Sequence, residues 1–127
     1  MNVEPRSQVH RVYGVEFMMR PDIGADTITL VNVFDVEHER LDSFLDAWRA
    51  RAEFMSAQPG FQSLRVLYAV SVGARFQAIV EAEWDSVQTL RDVTFQARFH
   101  EGARRVVEEV GVVAHPGVYR TAWEMSG

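Results

Sequence analysis

The sequence predicts a single α+β domain with the order strand, helix, strand, strand, helix, strand. Two segments place apolar residues at steps of three and four, which is typical of amphipathic helices. Four segments are rich in alternating apolar, β-branched and aromatic residues, which is typical of strands. This order is the ferredoxin-like βαββαβ arrangement, an antiparallel sheet with both helices on one face. The 127 residues suffice for one such domain and are too few for two ordinary ones.

The chain divides into an N-terminal arm at residues 1–26 and a folded domain at residues 27–124. The arm is polar up to residue 12, residues 12–19 allow a short strand, and residues 20–26 form a turn or linker rich in Gly, Pro and Asp. The sequence assigns no role to this arm. Two roles are compatible with it: covering the partner chain and closing a pocket.

The first strand of the domain, TITLVNVFDV at residues 27–36, carries an asparagine in its middle. Alternation places Ile28, Leu30, Asn32 and Phe34 on one face, which we assign to the helix-covered side. Asparagine is unfavourable in strands, and a buried amide is costly unless it is hydrogen-bonded. Asn32 therefore either satisfies neighbouring backbone or water, or faces a ligand that needs an amide.

A helix follows within residues 37–61 and stops before Pro59-Gly60. Residues 61–70 and 75–84 alternate as two strands, and the four residues 71–74 between them fit a hairpin loop. The apolar stripe predicted for the helix comprises Leu41, Phe44, Leu45, Trp48, Ala52 and Met55.

The second helical region covers residues 85–111, in one piece or two. Ser86, or the aspartate before it, fits the N-cap position. Gly102 is expected to break or bend this helix, and Gly111 to end it. Residues 117–124, GVYRTAWE, are predicted to form the last strand.

The composition excludes several classes of function. The chain has no cysteine and no lysine, so thiolate nucleophiles, disulfides and Schiff-base lysines are excluded. The net charge of −5 argues against nucleic-acid binding, which depends on neutralising phosphates. No apolar run approaches the roughly 20 residues that span a bilayer, and the N-terminus does not resemble a signal peptide, so we expect a cytoplasmic protein without membrane contact.

The sheet face turned away from the helices carries Thr29, Val31 and Val33 on the first strand. A monomer would expose this apolar surface to water. We therefore expect a homodimer in which two sheets pack face to face and close a two-chain barrel.

Four segments of the chain resemble the antibiotic biosynthesis monooxygenase family. They are TLVNVFDV, FLDAWRARAEFMSAQPGFQS, AEWDSVQTLR and HPGVYRT, and the likeness extends over about residues 27–123. The most specific parts are QPGF (58–61) and EWDS (83–86), which flank the predicted hairpin. The resemblance implies a dimeric α+β barrel with a pocket between the sheet and the helices of each protomer. Members include cofactor-free oxygenases of polyketide anthrones, heme-degrading monooxygenases and proteins with other roles.

The resemblance assigns two residues to catalysis. Asn32 matches an asparagine that members carry in the middle of the first strand, and its amide suits a substrate carbonyl, phenol or enolate. Trp84 matches the tryptophan of the EWDS segment, whose indole N–H can donate to a substrate oxygen. The alternatives are an amide satisfied within the protein and a core tryptophan that anchors the second helix.

The match to each branch of the family is partial. Anthrone oxygenases carry a second asparagine four residues before the tryptophan, where this chain has Val80. Heme-degrading members carry a helix tryptophan where this chain has Val93, and a histidine ligand close to the position of His100. His100 could bind heme iron, although most isolated histidines on helices are not ligands.

Further candidates for substrate contact are Phe34, Trp48, Val80, Arg91, His100, His115 and Tyr119. Each of three candidates also has an alternative to substrate contact. The Arg91 side chain could be solvated, Trp48 could pack in the core, and His115 could have a structural role at the pocket rim. The sequence shows no zinc-type histidine pair and no phosphate-binding loop, so it suggests no metal site.

These observations predict a small cofactor-independent monooxygenase that acts on an aromatic, polyketide-type substrate with dioxygen. A polyketide cyclase or other non-oxygenase tailoring protein of the same fold is the first alternative, and Val80 favours it. A heme-binding or heme-degrading protein is the second alternative, and a binding protein without catalysis stays open because fold does not fix function.

Overall fold

A four-stranded antiparallel sheet forms one layer of the domain, and helices cover one of its faces. The computed structural model describes residues 8–12, 15–19 and 24–127, the first two ranges by their backbone only. The elements in these ranges are β1 (Gln8–Val12), β2 (Val15–Met19), β3 (Ile28–Asp35), α1 (Leu41–Ser56), β4 (Phe61–Tyr68), β5 (Ala78–Trp84), α2 (Val87–Thr94), α3 (Ala97–Arg104) and β6 (Val113–Tyr119).

The strand order in the sheet is β4-β5-β3-β6, and β1 pairs with β2 in a separate ribbon. In the central pairings Asn32 lies opposite Val80 of β5 and Pro116 of β6. All three pairings in the sheet are antiparallel. The predicted ferredoxin-like α+β fold is therefore confirmed.

The core lies between the sheet and the helices. The sheet contributes Ile28, Leu30 and Phe34, which alternation had placed on the helix side, and all three are buried. Phe34 meets Phe44 and Trp48 of α1 edge to face, with ring centroids 4.8 and 5.9 Å apart. The opposite sheet face, with Thr29, Val31 and Val33, is only half-buried.

The N-terminal segment differs from the expected loose arm. Backbone of residues 8–12 and 15–19 forms the β1-β2 ribbon, and β1 passes close to α2. The strand expected at 12–19 begins at residue 15. The linker expected at 20–26 and the first seven residues lie largely outside the described residues.

Two connections differ from their predictions. The link between β4 and β5 spans residues 69–77 rather than 71–74, because the regular strand pairing stops at Tyr68 opposite Ala78. The second helical region breaks at Phe95 and Gln96 rather than at Gly102, which lies inside α3. The N-cap prediction is confirmed, since the Ser86 hydroxyl accepts a hydrogen bond from the Thr89 amide at 3.3 Å.

The last strand was placed too far along the chain. It runs from Val113 to Tyr119, not from 117 to 124, and starts two residues after Gly111, which has a φ of +82°. Pro116 lies inside β6, which is an edge strand, where a residue without an N–H is tolerated. Trp123 lies beyond the strand and is 74% exposed.

The two most specific sequence segments contact each other. Gly60 of QPGF has a φ of +85°, and its carbonyl accepts a hydrogen bond from the Asp85 amide of EWDS at 2.8 Å. A Cβ on Gly60 would lie 2.4 Å from the Thr89 Cβ. Phe61 meets Trp84 edge to face at 5.6 Å. These contacts form a corner, made of residues 60, 61, 84, 85 and 89, that holds the end of α1 against the start of α2.

Substituting Gly60→Ala is expected to lower the free energy of unfolding by at least about 1–3 kcal/mol, the usual cost of a non-glycine residue in the left-handed region. The clash with Thr89 adds to this cost. Gly73→Ala is the matched control, because a Cβ there meets nothing within 4 Å and the φ is not positive. Urea unfolding of both variants measures the difference, and equal stabilities would contradict this account of the corner.

Candidate active site

A cavity of about 300 Å³ lies between the sheet and the helices and is partly open to solvent. This volume is at the small end of the range for small-molecule pockets, about 300–1,000 Å³. Its wall combines β3 and β6 with α1, α3 and the segment that follows α3. The lining residues are Leu30, Asn32, Phe34, Trp48, Arg51, Phe99, Ala103, Val106, Val107, Val112, Val113, Ala114 and Pro116.

Among residues 24–127, Asn32 supplies the only side-chain amide of this wall. Its cross-strand neighbours on the two flanking strands, Val80 and Pro116, have no polar side-chain atom with which to bond it. Its Oδ1 is buried and has no hydrogen-bond partner. Within the described residues the amide oxygen therefore accepts no hydrogen bond from neighbouring backbone, which was one of the structural alternatives for this position.

Arg51 is the only charged residue that the described side chains contribute to the wall. It is 6% exposed, and its Nη1 donates to the Phe99 carbonyl of α3 at 2.9 Å. Its guanidinium carbon lies 4.9 Å from the centroid of the Trp48 ring and 4.7 Å from that of Phe99. Gly102 permits this approach, because a Cβ there would lie 2.7 Å from Arg51 Nη1.

Burial lowers the pKa of Arg51 to about 10, since desolvation penalises the charged form. The guanidinium nevertheless stays protonated at neutral pH. No acidic residue lines the cavity, and no described carboxylate forms an ion pair with Arg51. The wall is thus apolar, with one positive charge and one amide.

Buried polar atoms without a partner concentrate at this cavity. In the described part of the chain the buried unpartnered side-chain atoms are Asn32 Oδ1, Trp48 Nε1, Arg51 Nε and Trp84 Nε1. The first three belong to residues that line the cavity. Each unsatisfied buried group costs about 1–3 kcal/mol, and native proteins satisfy most of them. A polar ligand in the cavity could provide the missing partners.

The structure brings Asn32, Phe34 and Trp48 together on this wall and leaves the other predicted residues outside it. Val80 is 1% exposed and packs in the core beside Asn32. Trp84 is fully buried against Phe61. It stands four residues beyond Val80 along β5, about 13 Å at the usual strand rise. Its indole therefore has the core position that was the alternative to substrate contact.

Arg91 and His100 are also outside the cavity lining. Arg91 is half-buried on α2, with its guanidinium carbon 5.5 Å from the Phe95 ring centroid. His100 is half-buried on α3, and its ring meets the Phe99 ring edge to face at 5.6 Å.

His115 and Tyr119 lie on the uncovered sheet face, since their strand neighbours Ala114, Pro116 and Val118 face the helices. The expectation that His115 sits at the pocket rim is therefore wrong. Its Nε2 lies 3.1 Å from Asp35 Oδ2, and Arg75 Nη1 donates to Asp35 Oδ1 at 2.8 Å. Tyr119 is 59% exposed and lies over Gly117.

Sequence reasoning missed Arg51, although a signal was present. Residues 44, 48, 51 and 55 follow one another at steps of four, three and four, so Arg51 falls on the buried stripe of α1. A charged residue on such a stripe is unusual and points to a specific contact. Ala47 and Phe54 of the same stripe were also missed and are buried.

The arrangement does not fit a heme ligated inside the cavity. None of its lining residues is a histidine, and His100 contributes nothing to the wall. Among residues 24–127, no three His, Cys, Asp or Glu side chains gather as a metal site. No helix in the described ranges is long and apolar enough to cross a membrane.

Fold and cavity together define a ferredoxin-like α+β protein with a pocket under its helices. The family model for antibiotic biosynthesis monooxygenase matches residues 27–105, and the chain belongs to this family. No curated protein sequence matches the chain significantly.

Solved structures of similar fold include three informative cases. A candidate monooxygenase from Shewanella loihica is 27% identical, with a TM-score of 0.58 over 78% of this chain and 97% of that one. SnoaB of Streptomyces nogalater, a cofactor-independent oxygenase, is 21% identical, with a TM-score of 0.68 over 81% and 100%. A dimeric ferredoxin-like protein of unknown function from Bacteroides fragilis is 16% identical, with a TM-score of 0.57 over 75% and 96%.

Stability is expected to depend on pH through Asp35. The hydrogen bond with His115, and then that with Arg75, holds the pKa of Asp35 below its ordinary value of 3.8. A carboxyl group whose pKa is lower in the folded state than in the unfolded state stabilises the folded state at pH values above the unfolded-state pKa. This contribution is lost as the pH falls through the folded-state pKa. Asp35→Asn should therefore be less stable than wild type at pH 5–7, and the gap should shrink below pH 3.8.

Urea titrations from pH 2.5 to 7 at a fixed chain concentration measure this gap. Asp46→Asn, at an exposed position on α1, is the control for general charge removal. A gap for Asp35→Asn that stays constant with pH, or that equals the Asp46→Asn gap, would contradict the assignment.

Proposed function

We propose that this protein is a cofactor-independent monooxygenase of an aromatic, phenolic substrate of polyketide type. The observation that carries the proposal is Asn32, whose buried Oδ1 has no hydrogen-bond partner among the described residues and whose side chain lies on the wall of a mainly apolar cavity. Membership of the antibiotic biosynthesis monooxygenase family and the likeness in fold to SnoaB support the reaction class.

The proposed reaction needs no bound redox group, because the substrate supplies the electrons. An anthrone methylene group loses one proton to give an anion, which passes one electron to dioxygen. The two radicals combine to form a carbon–oxygen bond, and the resulting peroxide anion takes up the proton that the methylene group lost. Loss of water then leaves a carbonyl. The sum is one anthrone and one dioxygen giving one quinone and one water.

The protein would contribute binding, orientation and charge stabilisation. The Asn32 Nδ2 group donates to the oxygen on which the negative charge develops, and this hydrogen bond strengthens as that charge grows. The buried Oδ1 accepts from a phenolic hydroxyl of the substrate. Apolar side chains from both layers keep water away from the anion, which strengthens this hydrogen bond. Phe34 and Trp48 offer ring edges and faces to a planar polycycle.

Replacing Asn32 by alanine is expected to lower kcat with a model anthrone about 10²-fold, which is typical for the loss of one oxyanion donor. Oxygen uptake and quinone absorbance in chelator-treated buffer measure the rate. Gln62→Ala, which removes an exposed amide from β4, is the matched control and should keep wild-type turnover. A folded Asn32→Ala variant with full turnover would remove Asn32 from the mechanism.

A polyketide cyclase is the second candidate function, and Val80 favours it. The position of the second asparagine of anthrone oxygenases is here an apolar residue buried in the core. A cyclase would use the same cavity to fold a poly-β-ketone while excluding water. Product formation from a poly-β-ketone substrate at an unchanged rate under nitrogen, without oxygen uptake from anthrones, would decide for this candidate.

We further propose that the protein is a homodimer. The uncovered sheet face keeps Val31, Val33 and Ile79 only half-buried within one chain, and pairing two such faces would bury them. Light scattering at micromolar concentration should give twice the 14.5 kDa of one chain. A mass of one chain at that concentration would contradict the dimer.

A further inference from the structure

We propose that Arg51 recognises an anionic oxygen on the aromatic substrate, so that the substrate class is an aromatic acid rather than a neutral polycycle. This inference rests on the proposed function for the aromatic nature of the substrate. The negative charge that the inference assigns to the substrate follows from the residues of the cavity wall.

The guanidinium of Arg51 carries a charge that forms no ion pair with any carboxylate of residues 24–127. An isolated buried charge is costly unless it is paired and hydrogen-bonded. The Trp48 and Phe99 rings offset part of this cost through cation–π contacts, and the Phe99 carbonyl through one hydrogen bond. None of these partners is negatively charged.

The donors of Arg51 are mostly unused. A guanidinium has five N–H donors in a fixed plane, suited to bidentate bonds with a carboxylate. One hydrogen bond of this side chain, from Nη1, is made within the described residues, and Nε is buried without a partner. Both rings and Arg51 itself belong to the cavity lining, and Arg51 also borders a second recess between α1 and α3, next to Glu101 and Gly102.

The two polar groups of the cavity stand on different layers. Asn32 is on the sheet wall and Arg51 on the helix wall. A ligand that engages both therefore carries an oxygen near the sheet, where the reaction is proposed, and an anionic oxygen towards α1. An aromatic ring system with a carboxylate and a separate carbonyl or phenol has this pattern.

Binding of unreactive quinones tests this inference without any turnover. The probes are anthraquinone-2-carboxylate, the uncharged anthraquinone-2-carboxamide and 2-hydroxyanthraquinone, each titrated at pH 7 and followed by quenching of tryptophan fluorescence. Wild type should bind the carboxylate at least about tenfold more tightly than the carboxamide, because one hydrogen bond to a charged group contributes about 1.5–3 kcal/mol. The absorbance of 2-hydroxyanthraquinone reports whether the cavity binds a phenolate in place of a carboxylate.

Arg51→Met keeps the length of the side chain and removes the charge. In this variant the preference for the carboxylate should disappear, whereas carboxamide affinity stays within about twofold. Arg49→Met, an exposed position on the same helix, is the matched control and should keep the preference. If the phenolate form of the hydroxyl probe is stabilised by wild type and the carboxylate is not preferred, the anionic oxygen is a phenolate and the carboxylate assignment is overturned.

A purely structural arginine predicts a different result. If Arg51 only joins α1 to α3, Arg51→Met should lose thermal stability and still discriminate between the probes in the same way as wild type. An arginine kept for a ligand predicts an unchanged or raised melting temperature, because replacing an unpaired buried charge by an apolar side chain is often neutral or stabilising. Arg51→Gln repeats the test if the Met variant does not fold.

The two proposals fail in distinguishable ways. Absence of oxygen uptake with preserved charge discrimination would remove the oxygenase and leave an aromatic-acid site. Oxygen uptake with no discrimination between carboxylate and carboxamide would keep the oxygenase and overturn the role of Arg51.

Discussion

The packing of α1 on β3 is the interaction on which the rest of the structure depends. The Phe34 ring of β3 packs against the rings of Phe44 and Trp48 of α1. These aromatic contacts hold the helix over the centre of the sheet. One turn further along, Arg51 joins α1 to α3 through the Phe99 carbonyl. The cavity is the space that these contacts leave between Asn32 and the two helices.

The same contacts explain why polar atoms remain unpartnered there. A strand residue gains lateral partners from the strands on either side, but Val80 and Pro116 offer Asn32 none. Trp48 and Arg51 lie on the buried stripe of their helix, where protein acceptors are scarce. Satisfying these groups within the protein would require polar neighbours in the core. Leaving them unsatisfied destabilises the empty protein and favours whatever ligand completes them.

Much of the fold could be predicted from sequence because periodicity reports which face is buried. The alternation around Asn32 and the stripe of α1 predicted correct faces, and the contact between Gly60 and Asp85 explains why QPGF and EWDS occur together. The bounds of the last strand were predicted wrongly because the residue pattern does not show where pairing with β3 begins, and Val113 already pairs with Asp35 four residues before the predicted start. Arg51 was not predicted as a site residue because a charged residue is not expected on the buried stripe of a helix. The positions of the two tryptophans depend on three-dimensional packing, which places Trp48 in the cavity wall and Trp84 away from it.

The central claim is that Asn32, Trp48 and Arg51 face one ligand in one cavity. A ¹H–¹⁵N correlation spectrum recorded during titration with anthraquinone-2-carboxylate tests it most directly. The chain has three indoles, two asparagine amides (Asn2 and Asn32) beside six glutamine amides, and thirteen arginine Nε–H groups. The account predicts that the Asn32 amide, the Trp48 indole and the Arg51 Nε–H signals shift together with one dissociation constant, while the Trp84 indole, equally buried and unpartnered, stays in place. A shift of Trp84 without Asn32 and Trp48, or no shift of Asn32 at saturation, would contradict it.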